Sequence, residues 1–281
     1  MTETRSAAPM PVLPVGACDC HFHAIGSAGR YPFAAERSYT PDPAPESYHA
    51  AVFQPMGVTR GVVVQPSVYG TDNACLLDAL KAAPGRLRGV AVIDDASAPL
   101  AEYDAAGVRA IRFNLRMKGG VALDRISGLA AAAARFGWHL EINQNAEMLP
   151  SVPDLLAKMP DGMPVILDHM AHLPVGEGVD GAAFQTLLRL LGGGRVWVKL
   201  AVTRVSAAAP YGDVAEMVRR LAQEAPERCL WGSDWPHVNT PPERLPDNRQ
   251  LVAAMASWLE TDEMRRRVFC DNPAALYGFG R

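Results

Sequence analysis

The chain has 281 residues, of which 49% are hydrophobic and 20% are charged, and its formal net charge is −3. This length and composition are typical of one large globular domain, and the small negative charge gives no indication of a nucleic-acid partner. No apolar run approaches the roughly 18 residues that a membrane-spanning helix needs. The sequence therefore predicts a soluble, cytoplasmic protein without a nucleic-acid or membrane partner.

The first 15 residues are rich in proline and alanine and lack the charged-then-apolar pattern of a signal peptide. We expect residues 1–15 to form a flexible tail and residues 16–281 to form a single domain. The five cysteines are odd in number and lack zinc-ribbon spacing. Buried free thiols in a reducing compartment are therefore expected.

The first predicted strand, residues 18–23, carries two histidines two positions apart. Side chains alternate between the two faces of a strand, so His21 and His23 should share one face. Cys18 and Cys20 should face the opposite side. Two imidazoles at a strand end can hold a metal ion or polarise a carbonyl group, although an isolated pair is equally compatible with ordinary structural hydrogen bonds.

Apolar segments with strand character then alternate with helical segments. The predicted strands are residues 18–23, 61–65, 89–93, 108–113, 138–143, 164–168, 196–200 and 229–232. The predicted helices are residues 46–56, a segment around 76–80, and residues 98–106, 123–136, 146–159, 181–191, 214–225, 248–259, 262–269 and 273–277. Eight strands that are each followed by a helix predict an α/β protein with a single-domain (β/α)₈ TIM barrel. A doubly wound open sheet is the competing fold, but no glycine-rich dinucleotide or P-loop motif supports it.

The first strand is followed by a long loop, residues 24–45, rich in Gly, Pro and Ser. A loop of this length is usually functional or disordered. In TIM barrels the functional residues lie at the carboxyl ends of the strands. The polar residues at or just beyond those ends are His21, His23, Ser67, Arg112, Asn114, Arg116, Asn143, His169, His172, Lys199, Arg204, Asp234 and His237. Three histidines and one aspartate should thus converge from strands 1, 6 and 8.

Three motifs resemble the amidohydrolase superfamily: CDCHFH at residues 18–23, DHM at 168–170 and WGSDWPH at 231–237. Within that superfamily the chain looks most like the 2-pyrone-4,6-dicarboxylate lactonases and related lactone hydrolases. The segments at residues 65–73, 111–114 and 272–273 add to the likeness. The resemblance covers nearly the whole chain and implies an amidohydrolase-like barrel.

The resemblance also implies roles for individual residues. Asp234 would be the general base that takes a proton from water. His21, His23 and His169 would polarise the lactone carbonyl. The remaining residues expected to contact substrate are Arg112, Arg116, Arg204, Ser67, Tyr39, Asn143, His172 and His237. For Arg112 the alternative is a salt bridge at the top of the barrel, and for Arg116 and Arg204 it is a solvated loop charge.

Metal-dependent members of the superfamily add a histidine at the end of strand 5, where this chain has Asn143. The resemblance therefore implies an enzyme that needs no metal. The alternative is one divalent metal, most simply zinc, held by His21, His23 and Asp234. Glu141, one step deeper in the strand, is a conceivable replacement ligand.

The chain departs from the dicarboxylate lactonases at two pocket positions. They have a tyrosine where Asn143 stands and an arginine near where His172 stands, which puts the pyrone dicarboxylate itself in doubt. The expected function is a hydrolase that opens the ring ester of a small carboxylated lactone, as in the breakdown of aromatic compounds. A sugar-acid lactone isomerase and a non-catalytic, anion-binding barrel are the alternatives, and a monomer or small homo-oligomer is expected.

Overall fold

A closed barrel of eight parallel strands forms the centre of the molecule, whose computed structural model describes residues 12–280. The strands are β1 Ala17–Phe22, β2 Val58–Val64, β3 Leu87–Ala91, β4 Val108–Asn114, β5 His139–Asn143, β6 Val165–Leu167, β7 Val196–Leu200 and β8 Cys229–Trp231. Each strand pairs with its neighbour in the sequence, and a parallel bridge between Phe22 and Trp235 joins the last strand to the first. Each predicted strand overlaps an observed one, so the predicted (β/α)₈ barrel is confirmed.

Helices surround the barrel on the outside. They are α1 Glu46–Phe53, α2 Ala74–Ala82, α3 Leu100–Ala106, α4 Ile126–Ala134, α5 Val152–Leu156, α6 Ala182–Gly192, α7 Ala215–Glu224, α8 Asn248–Trp258, α9 Asp262–Arg266 and α10 Asn272–Tyr277. The helical segment predicted at residues 146–159, with breaks at Pro150 and Pro153, is a 3₁₀ segment, Ala146–Ser151, followed by α5. Pro150 and Pro153 lack the N–H groups that a continuous helix would need.

The barrel interior has an apolar layer at its N-terminal end. Its members are Cys18, Cys20, Val62, Val64, Val90, Ala110, Ile166, Trp197, Leu230, Tyr277 and Phe279. The C-terminal segment closes this end, because Arg88 donates from Nη2 to the carbonyl of Gly278 (2.8 Å) and Arg60 donates from Nη2 to the carbonyl of Gly280 (2.6 Å). Chemistry that needs solvent access is thereby confined to the opposite end.

Strand β1 contains one irregularity that changes the predicted orientation of its side chains. Asp19 is opposite Gly61 but Phe22 is opposite Val63, so β1 carries one extra residue between these pairs. Such a bulge interrupts the alternation of faces. Cys18 and Cys20 therefore lie in the barrel interior together with His21, and the expectation that they face away from His21 is wrong. His21 and His23 still share a side, as predicted.

Residues 1–11 of the predicted tail lie outside the described residues. Within the remainder of that tail, Leu13 is buried against the fold. In residues 12–280, no helix has the length and apolar character required to cross a membrane.

Candidate active site

A cavity of about 250 Å³ opens at the carboxyl ends of the strands. Its lining residues are His23, Tyr39, Ser67, Arg112, Asn114, Arg116, Met117, Asn143, His169, His172, Arg204, Asp234, Val238 and Asn239. Ten of the twelve predicted site residues are in this set. Sequence analysis did not single out Val238 and Asn239, which follow Asp234 in an irregular loop without a recognisable motif.

Four of the predicted residues meet around one carboxylate oxygen, Oδ1 of Asp234. The Nε2 atoms of His23, His21 and His169 lie 3.6, 3.7 and 4.0 Å from it. His21 is fully buried directly beneath the cavity, and its Nε2 has no hydrogen-bond partner among the described residues. A water molecule or a substrate carbonyl at this point would contact a carboxylate and several imidazoles together.

The backbone at two of these residues is strained. His169 begins a run of four residues with φ between 50° and 52°, and Asp234 has φ 62°. Left-handed conformations cost non-glycine residues about 1–2 kcal/mol each. The Asp234 conformation is held by its N–H, which donates to the carbonyl of His21 (2.8 Å). Strain of this kind concentrates at functional sites, where it orients reactive side chains.

A second carboxylate, that of Asp19, joins the segments at the carboxyl ends of β1 and β8. It is fully buried and accepts hydrogen bonds from the N–H of His21 (3.1 Å), the N–H of Ser233 (2.9 Å) and Nε2 of His49 (2.8 Å). This one side chain thus connects β1, the residue before Asp234 and α1. His49 therefore has a structural role.

The charge environment of Asp234 keeps the carboxylate ionised. Burial alone would raise its pKa, but the opposing influences, of which the nearby Arg204 guanidinium is the largest, hold the pKa well below its usual value. Nε of Arg204 donates to Oδ2 of Asp234, and Nη2 donates to the carbonyl of Val238 (2.7 Å). Oδ1 therefore remains directed at the histidines and can accept a proton.

One wall of the cavity is polar but uncharged. Nε2 of His172 donates to Oδ1 of Asn143 (2.9 Å), and the Asn143 amide donates to Oδ1 of Asn114 (3.1 Å). Burial and the nearby Arg116 lower the pKa of His172 to about 4, so this imidazole is neutral near pH 7. Asn143 and His172, the two positions at which the sequence was expected to depart from the dicarboxylate lactonases, thus contact each other.

The three predicted substrate arginines differ in their surroundings. Arg112 is buried; its Nε and Nη2 donate to Oδ2 of Asp168 (3.3 and 3.2 Å), and Nη1 donates to the carbonyl of Gln65 (3.0 Å). Arg112 therefore forms the salt bridge that was the alternative reading, while still bordering the cavity. Arg204 is paired with Asp234. Arg116 has no carboxylate within 4 Å in the described part of the chain.

The side chain of His237 does not line the cavity, although its N–H donates to the carbonyl of Asp234 (2.8 Å). It is buried, it is absent from the cavity lining, and its Nε2 forms a 2.9 Å hydrogen bond with Oδ1 of Asn248, the first residue of α8. The structure thus places it between the strand β8 loop and the outer helices.

A buried charged network below the cavity includes residues to which sequence analysis gave no role. Lys199 on β7 contacts Glu141 and lies 3.4 Å from Oδ1 of Asp168 and 3.3 Å from Nδ1 of His21. Glu141 also accepts from the Tyr277 hydroxyl (2.6 Å). Glu141, considered above as a replacement metal ligand, is therefore already paired with an ammonium group.

Residues at the cavity and directly beneath it offer ligand atoms that could hold a metal ion. Ligand atoms of His21, His169 and Asp234 all lie within 4.8 Å of one another. Nδ1 of His23 donates to the carbonyl of Val64 (2.7 Å), and this second bond leaves its Nε2 lone pair directed at Asp234. Imidazoles and a carboxylate are the usual ligands of catalytic zinc.

Comparisons with known proteins agree with this geometry. The amidohydrolase family model matches residues 18–279. The 2-pyrone-4,6-dicarboxylate hydrolase of Comamonas testosteroni is 36% identical, with 96% of this chain and 92% of the relative covered. The D-galactarolactone isomerase of Agrobacterium fabrum is 29% identical, covering 98% of this chain and 95% of the relative.

A solved structure shows the same architecture. A Pseudomonas putida protein described as a 2-pyrone-4,6-dicarboxylic acid hydrolase is 32% identical, with a TM-score of 0.80 and coverage of 96% of this chain and 100% of that one. Together with the family match over nearly the whole chain, this shows that the protein belongs to the amidohydrolase family.

Proposed function

We propose that the protein is a hydrolase that opens the ring ester of a small carboxylated lactone by general-base activation of water. The observation that carries the proposal is the meeting of Asp234 Oδ1 with three imidazoles on the wall of a cavity bordered by arginines. The hydrolase and isomerase names of the two relatives both denote lactone substrates.

Asp234 acts as the base in this mechanism. A water molecule next to Oδ1 gives up a proton to the carboxylate while its oxygen attacks the lactone carbonyl carbon. The ring C–O bond then breaks, and the proton passes to the departing ring oxygen, so the product is an opened acid. Positioned general bases contribute roughly 10²–10⁴ to the rate.

Neutral imidazoles stabilise the oxyanion that forms. Burial lowers the pKa of both His21 and His169, so each can offer an N–H without carrying a charge. One preorganised donor of this kind is worth about 3–4 kcal/mol of transition-state stabilisation. In this mechanism His23 donates from Nδ1 to the carbonyl of Val64, and its Nε2 accepts a hydrogen bond from the attacking water.

The arginines select an anionic substrate. Arg116 and Arg204 border the cavity, and guanidinium groups bind carboxylates through paired hydrogen bonds. Ser67 and Tyr39 add neutral hydroxyls on the same wall. The uncharged Asn143–His172 wall accepts a hydroxyl or carbonyl group of the substrate.

We further propose that no metal is essential. His21, His23 and Asp234, with His169 adjacent, would hold a divalent ion, which would supply polarisation of the carbonyl. Metal content of the purified protein, and turnover before and after a chelator, test this proposal. Loss of turnover after chelation that added zinc restores would overturn it.

The test of the function is a panel of carboxylated lactones assayed for ring opening with the wild-type protein and with Asp234→Asn. We expect at least one lactone to be opened, and the variant to lose about 10²-fold or more in kcat. Asp161→Asn, which changes an exposed aspartate, is the matched control and should retain full rate. Tight binding of the panel by the wild-type protein without any turnover would instead identify a non-catalytic binder.

A further inference from the structure

The buried ammonium group of Lys199 occupies the centre of a set of groups that could otherwise hold a cation. His21, Glu141 and Asp168 offer ligand atoms within 4.8 Å of one another. Lys199 Nζ contacts Glu141 and lies 3.4 Å from Asp168 Oδ1 and 3.3 Å from His21 Nδ1. All four side chains are fully buried, and the proposed reaction uses only the histidine.

We propose that Lys199 is a positioning residue that fixes His21 with its proton on Nε2, so that His21 presents an N–H to the reacting centre. A protonated lysine has three donors and no acceptor. In the hydrogen bond between Lys199 and His21, the ring nitrogen Nδ1 must therefore accept. A neutral imidazole has one proton, which then resides on Nε2.

The surroundings favour a charged Lys199 and a neutral His21. Nζ of Lys199 contacts two buried carboxylates, those of Glu141 and Asp168, and this pairing favours its ammonium form. An imidazolium ring would carry a proton on Nδ1, so the contact of this nitrogen with the ammonium group requires the neutral ring. The network therefore contains a charged lysine and a neutral histidine.

The competing acceptor for His21 is Asp168. Its Oδ1 also lies 3.3 Å from Nδ1 of His21, but this oxygen makes no hydrogen bond in the described residues, whereas the contact of Nδ1 with Lys199 has hydrogen-bond geometry. The two partners are equally distant, and hydrogen-bond geometry favours the ammonium group. An N–H on Nδ1 would place two donors against each other.

The two histidines of the first strand therefore have opposite tautomers. His23 carries its proton on Nδ1, because the carbonyl of Val64 can only accept. In the proposed reaction, on which this consequence rests, His21 donates to the carbonyl oxygen and His23 accepts from the attacking water. His21 also has no lone pair to offer a metal at Nε2, so Lys199 weakens the zinc set described above.

Nitrogen NMR of protein labelled with ¹⁵N-histidine tests the tautomers directly. Long-range ¹H–¹⁵N spectra distinguish the two forms, and His21→Gln and His23→Gln assign their signals among the seven histidines. We expect the proton of His21 on Nε2 and that of His23 on Nδ1. A proton on Nδ1 of His21 in the wild-type protein would overturn the proposal.

A variant that lacks Lys199 provides a second test of its role. In Lys199→Met, Nδ1 of His21 loses its donor and keeps Asp168 Oδ1 at 3.3 Å, so the tautomer should reverse. Zinc affinity, measured by equilibrium dialysis, should then increase at least tenfold. Lys158→Met, at an exposed lysine, should match the wild type in both measurements.

The double variant Lys199→Met/Glu141→Gln covers the case in which the single variant does not fold, because it removes the unpaired carboxylate. An unchanged tautomer and unchanged zinc affinity in a folded lysine variant would contradict the proposal. Neither measurement requires turnover. If the protein opens no lactone, the proposed function is contradicted, but the proposal on the tautomer of His21 is not.

Discussion

At the N-terminal end of the barrel, the guanidinium groups of Arg60 and Arg88 are occupied by backbone carbonyls of the C-terminal segment, and both lie near the Phe279 ring. At the C-terminal end, Arg116 and Arg204 border the cavity. The same residue type thus closes one end of the barrel and equips the other to bind an anion. Position sets the difference. Arg60 and Arg88 lie near the beginnings of their strands, whereas Arg116 and Arg204 follow the ends of theirs.

Arg112 is the residue that most directly tests this comparison, because it borders the cavity but is bonded like a structural residue. Arg112→Met leaves the buried Asp168 without one of its cationic partners. Losing one partner of a buried pair costs about 3–5 kcal/mol, which urea unfolding would measure. Arg249→Met, at an exposed arginine, is the control. A loss below about 1 kcal/mol would show that Arg112 belongs with the substrate arginines.

Arg204→Gln sharpens the comparison through pH. In the wild type the pKa of Asp234 lies well below the ordinary 3.8. The carboxylate therefore stays ionised at pH 3.8 and above. Activity should fall only when the pH drops through the lowered pKa. Removing Arg204 takes away the largest influence that opposes burial, so the pKa rises. We expect the acidic limb of the kcat profile to move up by roughly 1–3 pH units. Coinciding limbs in the two proteins would contradict the role given to Arg204.

Arg88→Met examines the closed end. It removes hydrogen bonds from a charged donor to the carbonyls of Tyr277 and Gly278. The expected cost is about 2 kcal/mol of unfolding free energy, with kcat and KM unchanged. Should kcat fall while stability is retained, the two ends would not be functionally separate.

Arg116→Met has the smallest expected effect and should act on binding alone. KM for a carboxylated lactone should rise about tenfold, which corresponds to about 1.4 kcal/mol. KM for the matching lactone without a carboxylate should not change, and unfolding should be unaffected because Arg116 makes no ion pair in the described chain. Equal effects on both lactones would remove Arg116 from the anion site.

Much of this arrangement could be predicted from the sequence, because a parallel barrel brings the carboxyl ends of all its strands to one rim. The positions of His23, His169 and Asp234 could be predicted from the apolar runs that precede them. The bulge in β1 could not, since strict alternation gives no sign of an extra residue, and the orientation of Cys18 and Cys20 was predicted wrongly for that reason.

The side-chain partners of Lys199 and His237 also could not be predicted from the sequence. Lys199 stands at a strand end like the other polar residues, yet it is directed downward at Glu141 and Asp168 and away from the cavity. His237 likewise follows β8 but contacts α8. Such pairings depend on which side chains share the interior of the closed barrel, and local patterns do not contain that information.

The most direct test of the account is turnover of a carboxylated lactone in ¹⁸O-labelled water, followed by mass spectrometry of the product. Water activated by Asp234 attacks the carbonyl carbon, so the opened acid should carry one ¹⁸O atom in its new carboxyl group, with Asp234→Asn forming little product. A ring-shifted lactone without the label would show isomerisation and contradict the hydrolytic account.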